Sequence, residues 1–251
     1  MYSDDTEKTN FGFKTIPKKE KESLVSSVFD SVATKYDMMN DLMSFGIHRF
    51  WKNVTNDIAA VKSDMKILDL ASGTGDLAAK FAKQIGDKGS VILADINDNM
   101  LQIGREKLIN QGLTKNIFYC KANGERLPFK DNSFDLITIA FGLRNITDKA
   151  KALRSMYRTL KPDGKLLVLE FSKPTNGLLN HVYEKYNLNV IPKLGKLITN
   201  DEDSYRYLAE SIKLHPDQEE LKQIILDSGF VDVDYFNLSN GIVAVHRAYK
   251  Q

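Results

Sequence analysis

Early in the chain, apolar residues fall three and four apart. Val25, Val28, Phe29, Val32, Ala33 and Tyr36 keep that spacing, which predicts an amphipathic helix over residues 20–36 with Tyr36 on its apolar face. Residues 1–19 are polar, lead into "PKKEKE", and are expected to form a flexible segment. From Lys66 the texture changes. The runs "KILDL", "SVILADI", "NIFYCKA", "FDLITIAF" and "GKLLVLEF" alternate with helical patterns such as "DLAAKFAKQI", "NMLQIGREKLIN" and "DKAKALRSMYRTL". Strand and helix in alternation predict an α/β fold with a doubly wound, parallel sheet. After the helix "DQEELKQIILDSG" two more strands meet at Asn240-Gly241, a tight-turn signal, so the last strand is expected to run antiparallel.

Composition removes several classes of function. Lys and Arg number 35 against 33 Asp and Glu, so the field is weak and nucleic acid is not an expected partner. Cys120 is the only cysteine, which excludes an intramolecular disulfide, and no metal site is expected. The opening "MYSDDTEKTN" lacks an apolar signal core, pointing to a cytoplasmic protein. No apolar run approaches the roughly 20 residues of a membrane helix, so any membrane contact is expected to be peripheral.

The strongest chemical signal is "LDLASGTGD". Gly73 and Gly75 let the backbone turn and approach a bound group, with Thr74 between them and a helix following. Twenty residues beyond Gly75, Asp95 closes the second strand, placed for ribose hydroxyls. With Ala78 the loop also fits a dinucleotide fingerprint, so alone it leaves a nicotinamide cofactor open. Three neighbours favour S-adenosylmethionine. Asp69 suits an ammonium group and repels a pyrophosphate. Asn123 and Gly124 lie where an adenine edge would be read. The closing hairpin is the ending of a class I methyltransferase sheet of seven strands. The plain alternative for Asp69 is that it caps a turn.

"YDMMNDLMSFGIHRFW" resembles the first signature segment of the ubiquinone and menaquinone biosynthesis C-methyltransferase family, matching at Tyr36, Asp37, Met39, Asn40, Ser44, His48 and Trp51. "LKPDGKLLVLEFS" resembles the second, through Lys161, Pro162, Gly164, Glu170 and Ser172, with Asp163 in place of the usual glycine. "FGLRN" and "DSYRYLAESIKLHPDQ" extend the likeness from "TNFGF" almost to the end. The resemblance implies methyl transfer from S-adenosylmethionine to a ring carbon of a polyprenylated quinol. The acceptors would be demethylmenaquinol and 2-polyprenyl-6-methoxy-1,4-benzoquinol. It implies cofactor contacts at Thr74, Asp95, Asn123, Gly124 and position 140, where Ala140 replaces the common serine. Ser72 stands where close relatives have glycine.

On this reading one methyltransferase domain is expected over 1–251, with extra N-terminal helices at 20–60 on the substrate side, a core over 61–251 and a lid at 175–212. A flat quinol ring suits methionine and aromatic walls, so Tyr36, Met38, Met39, Met43 and His48 are candidates to line it. The competing reading puts the methionines in the core and gives His48 a nearby carbonyl. Arg144 and Asn145 end the fourth strand, where open α/β sheets bind ligands, and are expected to face the substrate. Arg144 would hold a phenolate; its alternative is an ion pair with Asp148. Tyr205, Arg206 and Tyr207 are candidates for the pocket mouth. Residues 178–198 mix Leu178, Leu179, Val182, Tyr183 and Tyr186 with Lys185, Lys193 and Lys196, as a lid or a transient contact at the inner membrane surface would; the plain alternative is a helix covering the core with solvated lysines. Pro192 and Gly195 are expected to interrupt that stretch. A homo-oligomer or association with other quinone-biosynthesis enzymes is left open. The rival functions are an NAD(P)-dependent oxidoreductase and a non-catalytic S-adenosylmethionine-binding subunit.

Overall fold

The computed structural model describes residues 7–175, 183, 186–199 and 201–251. Seven strands form one sheet: β3 (Lys66–Leu70), β4 (Ser90–Asp95), β5 (Ile117–Lys121), β6 (Phe134–Ala140), β7 (Leu160–Phe171), β8 (Val231–Leu238) and β9 (Val243–Tyr249). Their order is β5-β4-β3-β6-β7-β9-β8. Strands β3 to β7 pair in parallel, and β9 runs antiparallel to both β7 and β8. This is the expected class I methyltransferase sheet. The β8–β9 connection is a short 3-10 turn over Ser239–Gly241, in which Asn240 takes φ +56, and not a two-residue hairpin.

Alternation along the strands supplies two cores. Ile67, Leu93 and Leu167 face α4 (Asp76–Ala82) and the N-terminal helices. Leu68, Ile137 and Val168 face the side of α6 (Lys149–Thr159) and the helix Gln218–Asp227. Both faces of a parallel sheet are buried, so the strands read as nearly continuous apolar runs. The order reverses beside β3, with β4 on one flank and β6 on the other. The crevice there is the usual ligand position in open α/β sheets.

The N-terminal part departs from expectation. Residues 8–17 form an antiparallel hairpin, β1 (Lys8–Phe11) and β2 (Lys14–Pro17), where a flexible segment was expected. It is held by the Phe11 ring, stacked 4.2 Å from Tyr207, and by Phe13 N, which donates to Glu210 Oε2 at 2.9 Å. The first helix, α1, covers Lys18–Val32, and a 3-10 turn over Ala33–Lys35 follows, so Tyr36 opens α2 (Tyr36–Ser44). Ser31 near the end of α1 is bound by Asp201 and Ser204, a distant partnership that periodicity does not register. Helix α3 is His48–Ala59 and α5 is Asp98–Asn110.

Beyond β7, Leu178, Leu179, Val182 and Lys185 lie outside the described residues. Helix α7 (Ile191–Thr199) passes through both Pro192 and Gly195. Proline is tolerated in a first turn, and Gly195 meets the Tyr205 ring, which a Cβ there would strike at 2.4 Å. Helix α8 (Glu202–Lys213) buries Tyr205, Leu208 and Ile212, so this part of the expected lid is core. Helix α9 is Gln218–Asp227 and starts with a capping box between Asp217 and Glu220.

Candidate functional site

Two cavities open at the carboxyl ends of β3, β4 and β6. The larger encloses about 820 Å³ including its open mouth, and Gly73, Asp95, Met100, Asn123, Gly124 and Asn145 are among its walls. The smaller is lined by Lys52, Asp69, Ser72, Thr74, Asp76 and Ala140, with Leu77. Tyr36, Ala71 and Phe141 belong to both walls, so the two cavities adjoin there as a larger and a smaller arm.

The loop between them is built by backbone geometry. Gly75 has φ +76, and a Cβ on it would lie 2.9 Å from Leu93 and from Leu108. Asp95 fastens the loop from the side: its Oδ2 accepts from Gly73 N at 2.8 Å and its Oδ1 from Asn97 N at 2.9 Å. Burial pushes this carboxyl up, and the Asn97 and Gly73 amides oppose the shift. A carboxylate offers about four acceptor directions, so room remains for a hydroxyl beside the amides of Asn97, Gly73 and Ile96.

Asp69 borders the smaller arm. Its Oδ1 accepts from Thr138 Oγ1 at 2.7 Å and its Oδ2 from Ala78 N at 3.2 Å. Burial pushes it up to about 7 even though those bonds and the Lys52 charge favour ionisation. Asn123, expected to read adenine with its side chain, has that side chain engaged. Oδ1 accepts from Glu125 N at 2.8 Å, and Nδ2 donates to Glu22 Oε2 at 2.9 Å. The peptide at Gly124 lines the larger arm beside it.

Tyr36 stands where the arms join. Burial raises its phenol to about 12 against the pull of the Arg144 charge, so the hydroxyl keeps its proton at neutral pH and donates. Asn145 lines the larger arm, and its Oδ1 accepts from Tyr207 Oη at 3.0 Å. Arg144 is not in the wall. It is buried behind the wall, with Nη1 donating to Glu170 Oε1 at 2.9 Å and to the Phe141 carbonyl. Its guanidinium lies 5.4 Å from the Phe171 ring, and its Nε finds no acceptor among the described residues. Glu170 also accepts from the amides of Arg144 at 3.2 Å and Phe171 at 2.9 Å. The alternative partner, Asp148, instead caps α6 by accepting from Lys151 N.

Besides Arg144, the candidates Met38, Met39, Met43, His48, Tyr205, Arg206 and Tyr207 fall outside both arms. Met39, Met43 and Tyr205 are core residues, and His48 is buried with Nε2 3.0 Å from Asp41, a carboxylate that Arg49 also grips. Helix α2 packs on α3 and α7, which turns its methionines into those contacts. Met38 is 42% exposed. Residues the sequence did not single out complete the larger arm: Ser26 and Phe29 of α1, Asn97, Met100 and Ile146. Asn97 carried a legible signal, an asparagine before a helix, and it caps α5 by accepting from Met100 N at 2.9 Å. Its Nδ2 donates to Ser26 and Asp30, drawing α1 over the cavity.

The chain matches the ubiE/COQ5 methyltransferase family over residues 17–250. Proteins named ubiquinone/menaquinone biosynthesis C-methyltransferase UbiE, from Shewanella baltica and from Shewanella oneidensis, are each 60% identical over 250 residues, with 100% of both chains covered. A SAM-dependent methyltransferase from Aquifex aeolicus is similar in structure with a TM-score of 0.60 and 21% identity, covering 88% of this chain and 98% of its own. The cyclase SpnF gives a TM-score of 0.67 at 15% identity, covering 90% of this chain and 94% of its own. At those identities the solved structures speak to fold alone.

Proposed function

The chain belongs to the ubiE/COQ5 methyltransferase family and is an S-adenosylmethionine-dependent C-methyltransferase of ubiquinone and menaquinone biosynthesis, and we propose that its chemistry takes place where the two cavity arms meet. The observation that carries this reading is the arrangement of groups along the adjoining arms. One carboxylate borders each arm, Asp95 the larger and Asp69 the smaller, and the aromatic side chains of Tyr36 and Phe141 border both. The residues fit the cofactor in kind. Asp95 suits ribose hydroxyls, Met100 and Ile146 wall a flat base beside Gly124, Asp69 suits an ammonium, and the rings bordering both arms suit a sulfonium. S-adenosylmethionine supplies an electrophilic methyl group when bound there.

The acceptors are polyprenylated quinols, demethylmenaquinol and 2-polyprenyl-6-methoxy-1,4-benzoquinol. A quinol becomes a carbon nucleophile when a hydroxyl proton leaves. Tyr36 stays protonated and donates to a quinol oxygen, while Asn145 offers its amide from the opposite wall. Arg144 acts from behind, its charge opposing the negative charge that forms; water carries the hydroxyl proton away, and after methyl transfer the hydrogen of the methylated ring carbon returns as a proton to that oxygen as the ring becomes aromatic again. Single-turnover assays with short-tailed forms of each demethyl quinol test this. Methyl on a ring carbon is expected, and binding of S-adenosylhomocysteine without transfer to either quinol would overturn the acceptor assignment.

Affinity for S-adenosylhomocysteine is expected to depend on pH through Asp69. Below about pH 7 this buried carboxyl holds a proton that must leave before it can pair with an ammonium. Affinity therefore rises with pH toward that value and levels off above it, with release of up to about one proton. Calorimetry in buffers of different ionisation enthalpy reads the proton directly. The slope should vanish in Asp69→Asn, and its persistence would assign the proton elsewhere.

The prenyl tail belongs in a bilayer, and we place the protein in the cytoplasm, in transient contact with the inner membrane. Among the described residues no helix is long and apolar enough to cross it. Phe45 is 75% exposed and stacks on Tyr186, and Leu197 is 82% exposed on α7, which also carries Lys193. Replacing both Phe45 and Leu197 by Ser is expected to weaken binding to anionic vesicles by at least about 10-fold, from the apolar area withdrawn. Co-sedimentation equal to the parent's would remove this face from the contact.

A further inference from the structure

Lys52, Asp76 and Ser72 line the smaller arm and have no part in the reading above. Lys52 lies on the buried stripe of α3 with His48, Trp51, Thr55 and Ala59, where an apolar residue is the ordinary choice. Its side chain is only 8% exposed, and its Nζ donates to Asp76 Oδ2 at 2.6 Å. Asp76 is shared: its Oδ1 accepts from Lys107 Nζ at 2.7 Å. Although burial works to raise it, Lys52 and Lys107 together hold the Asp76 carboxyl well below the usual carboxylate range.

Two ammonium groups therefore meet at one carboxylate in a largely buried corner, and among the described residues Asp76 takes up one of the three N–H donors of Lys52. Ser72 adds a buried Oγ with no hydrogen-bond partner among the described residues. Buried charge and buried hydroxyl both call for acceptors. A carboxylate supplies them, with charge of the right sign.

The amino-acid end of S-adenosylmethionine is a zwitterion. With its ammonium at Asp69, its carboxylate needs a cation within the same arm. We propose that Lys52, assisted by the Ser72 hydroxyl, binds the carboxylate of the cofactor's amino-acid end, and that Asp76, shared with Lys107, positions the lysine for it. This rests on the cofactor reading above and extends it to residues of α3. The same helix stands beside α2, so the N-terminal helices contribute to the cofactor pocket as well as to the substrate side.

The experiment compares two ligands by calorimetry: S-adenosylhomocysteine and its decarboxylated analogue, which keeps the ammonium. Lys52→Met is expected to weaken S-adenosylhomocysteine about 10- to 100-fold, the scale of a hydrogen bond to a charged group, and to leave the decarboxylated analogue within about 2-fold of the parent. Lys52→Arg should restore most of the loss. Lys52→Gln carries the same expectation as the methionine variant should that one fail to fold. An equal loss for both ligands, or none for either, overturns the proposal and leaves Lys52–Asp76 as a tie between α3 and α4. A parent protein that binds neither ligand overturns the cofactor reading itself.

Discussion

Glu170→Gln is expected to cost about 3–5 kcal/mol of folding stability, the scale for breaking a buried ion pair by removing one partner. Both members are nearly inaccessible, with side-chain exposures of 4% for Arg144 and 1% for Glu170. Glutamine keeps the shape and loses the charge, so the guanidinium remains buried with neutral acceptors alone, the new amide oxygen and the Phe141 carbonyl, and an aromatic face. The carboxylate also receives two backbone amides, which fix the turn that ends β6. Urea unfolding reads the loss as a lower midpoint at unchanged slope. Removing both charges in Arg144→Met with Glu170→Gln should recover much of the loss. A midpoint for Glu170→Gln equal to the parent's would mean that the pair supports nothing.

Arg144→Lys is expected to lower the single-turnover rate by on the order of 10²-fold while leaving S-adenosylhomocysteine affinity unchanged. Lysine keeps the charge but cannot hold the Glu170 carboxylate and the Phe141 carbonyl with one planar group. The side chain lies behind the wall that Gly142 and Asn145 form, so its effect reaches the quinol as a field and through that turn. Its charge already reaches Tyr36. Reading affinity and rate separately distinguishes a loss at the transition state from a loss of binding. A variant that transfers methyl at the parent rate would make Arg144 purely structural.

The sheet was legible because its signals are local. Five apolar runs alternating with helical patterns fix the winding, and the Gly73–Gly75 loop with Asp95 twenty residues on fixes where the crevice lies. The walls of that crevice were less legible. Met39, Met43 and Tyr205 have the chemistry of pocket walls, but an apolar side chain facing a cavity and one facing a neighbouring helix look alike in sequence. Glu170 and Lys52 escaped for another reason: their partners lie 26 and 24 residues away. The meaning of a buried charge depends on what stands opposite it. Asp163 is a gentler case. It stands where the family usually has glycine and takes φ +60, a conformation that Asp tolerates better than most side chains.

The strand order has a consequence for how the chain is made. β9 leaves a ribosome after the other six strands of its sheet and inserts between β7 and β8, so β8 has no place in the sheet until β9 arrives. Until then β7, with a run of inaccessible apolar residues from Leu166 to Leu169, presents an open edge. The N-terminal hairpin waits too, since Phe11 and Phe13 find their partners at Tyr207 and Glu210. A nascent chain arrested before residue 243 would carry an unpaired apolar strand, and one arrested before Tyr207 a loose start as well, the combination that recruits other chains edge to edge. Chaperone demand during synthesis is therefore expected to peak late and to fall away abruptly as the final strand slots in.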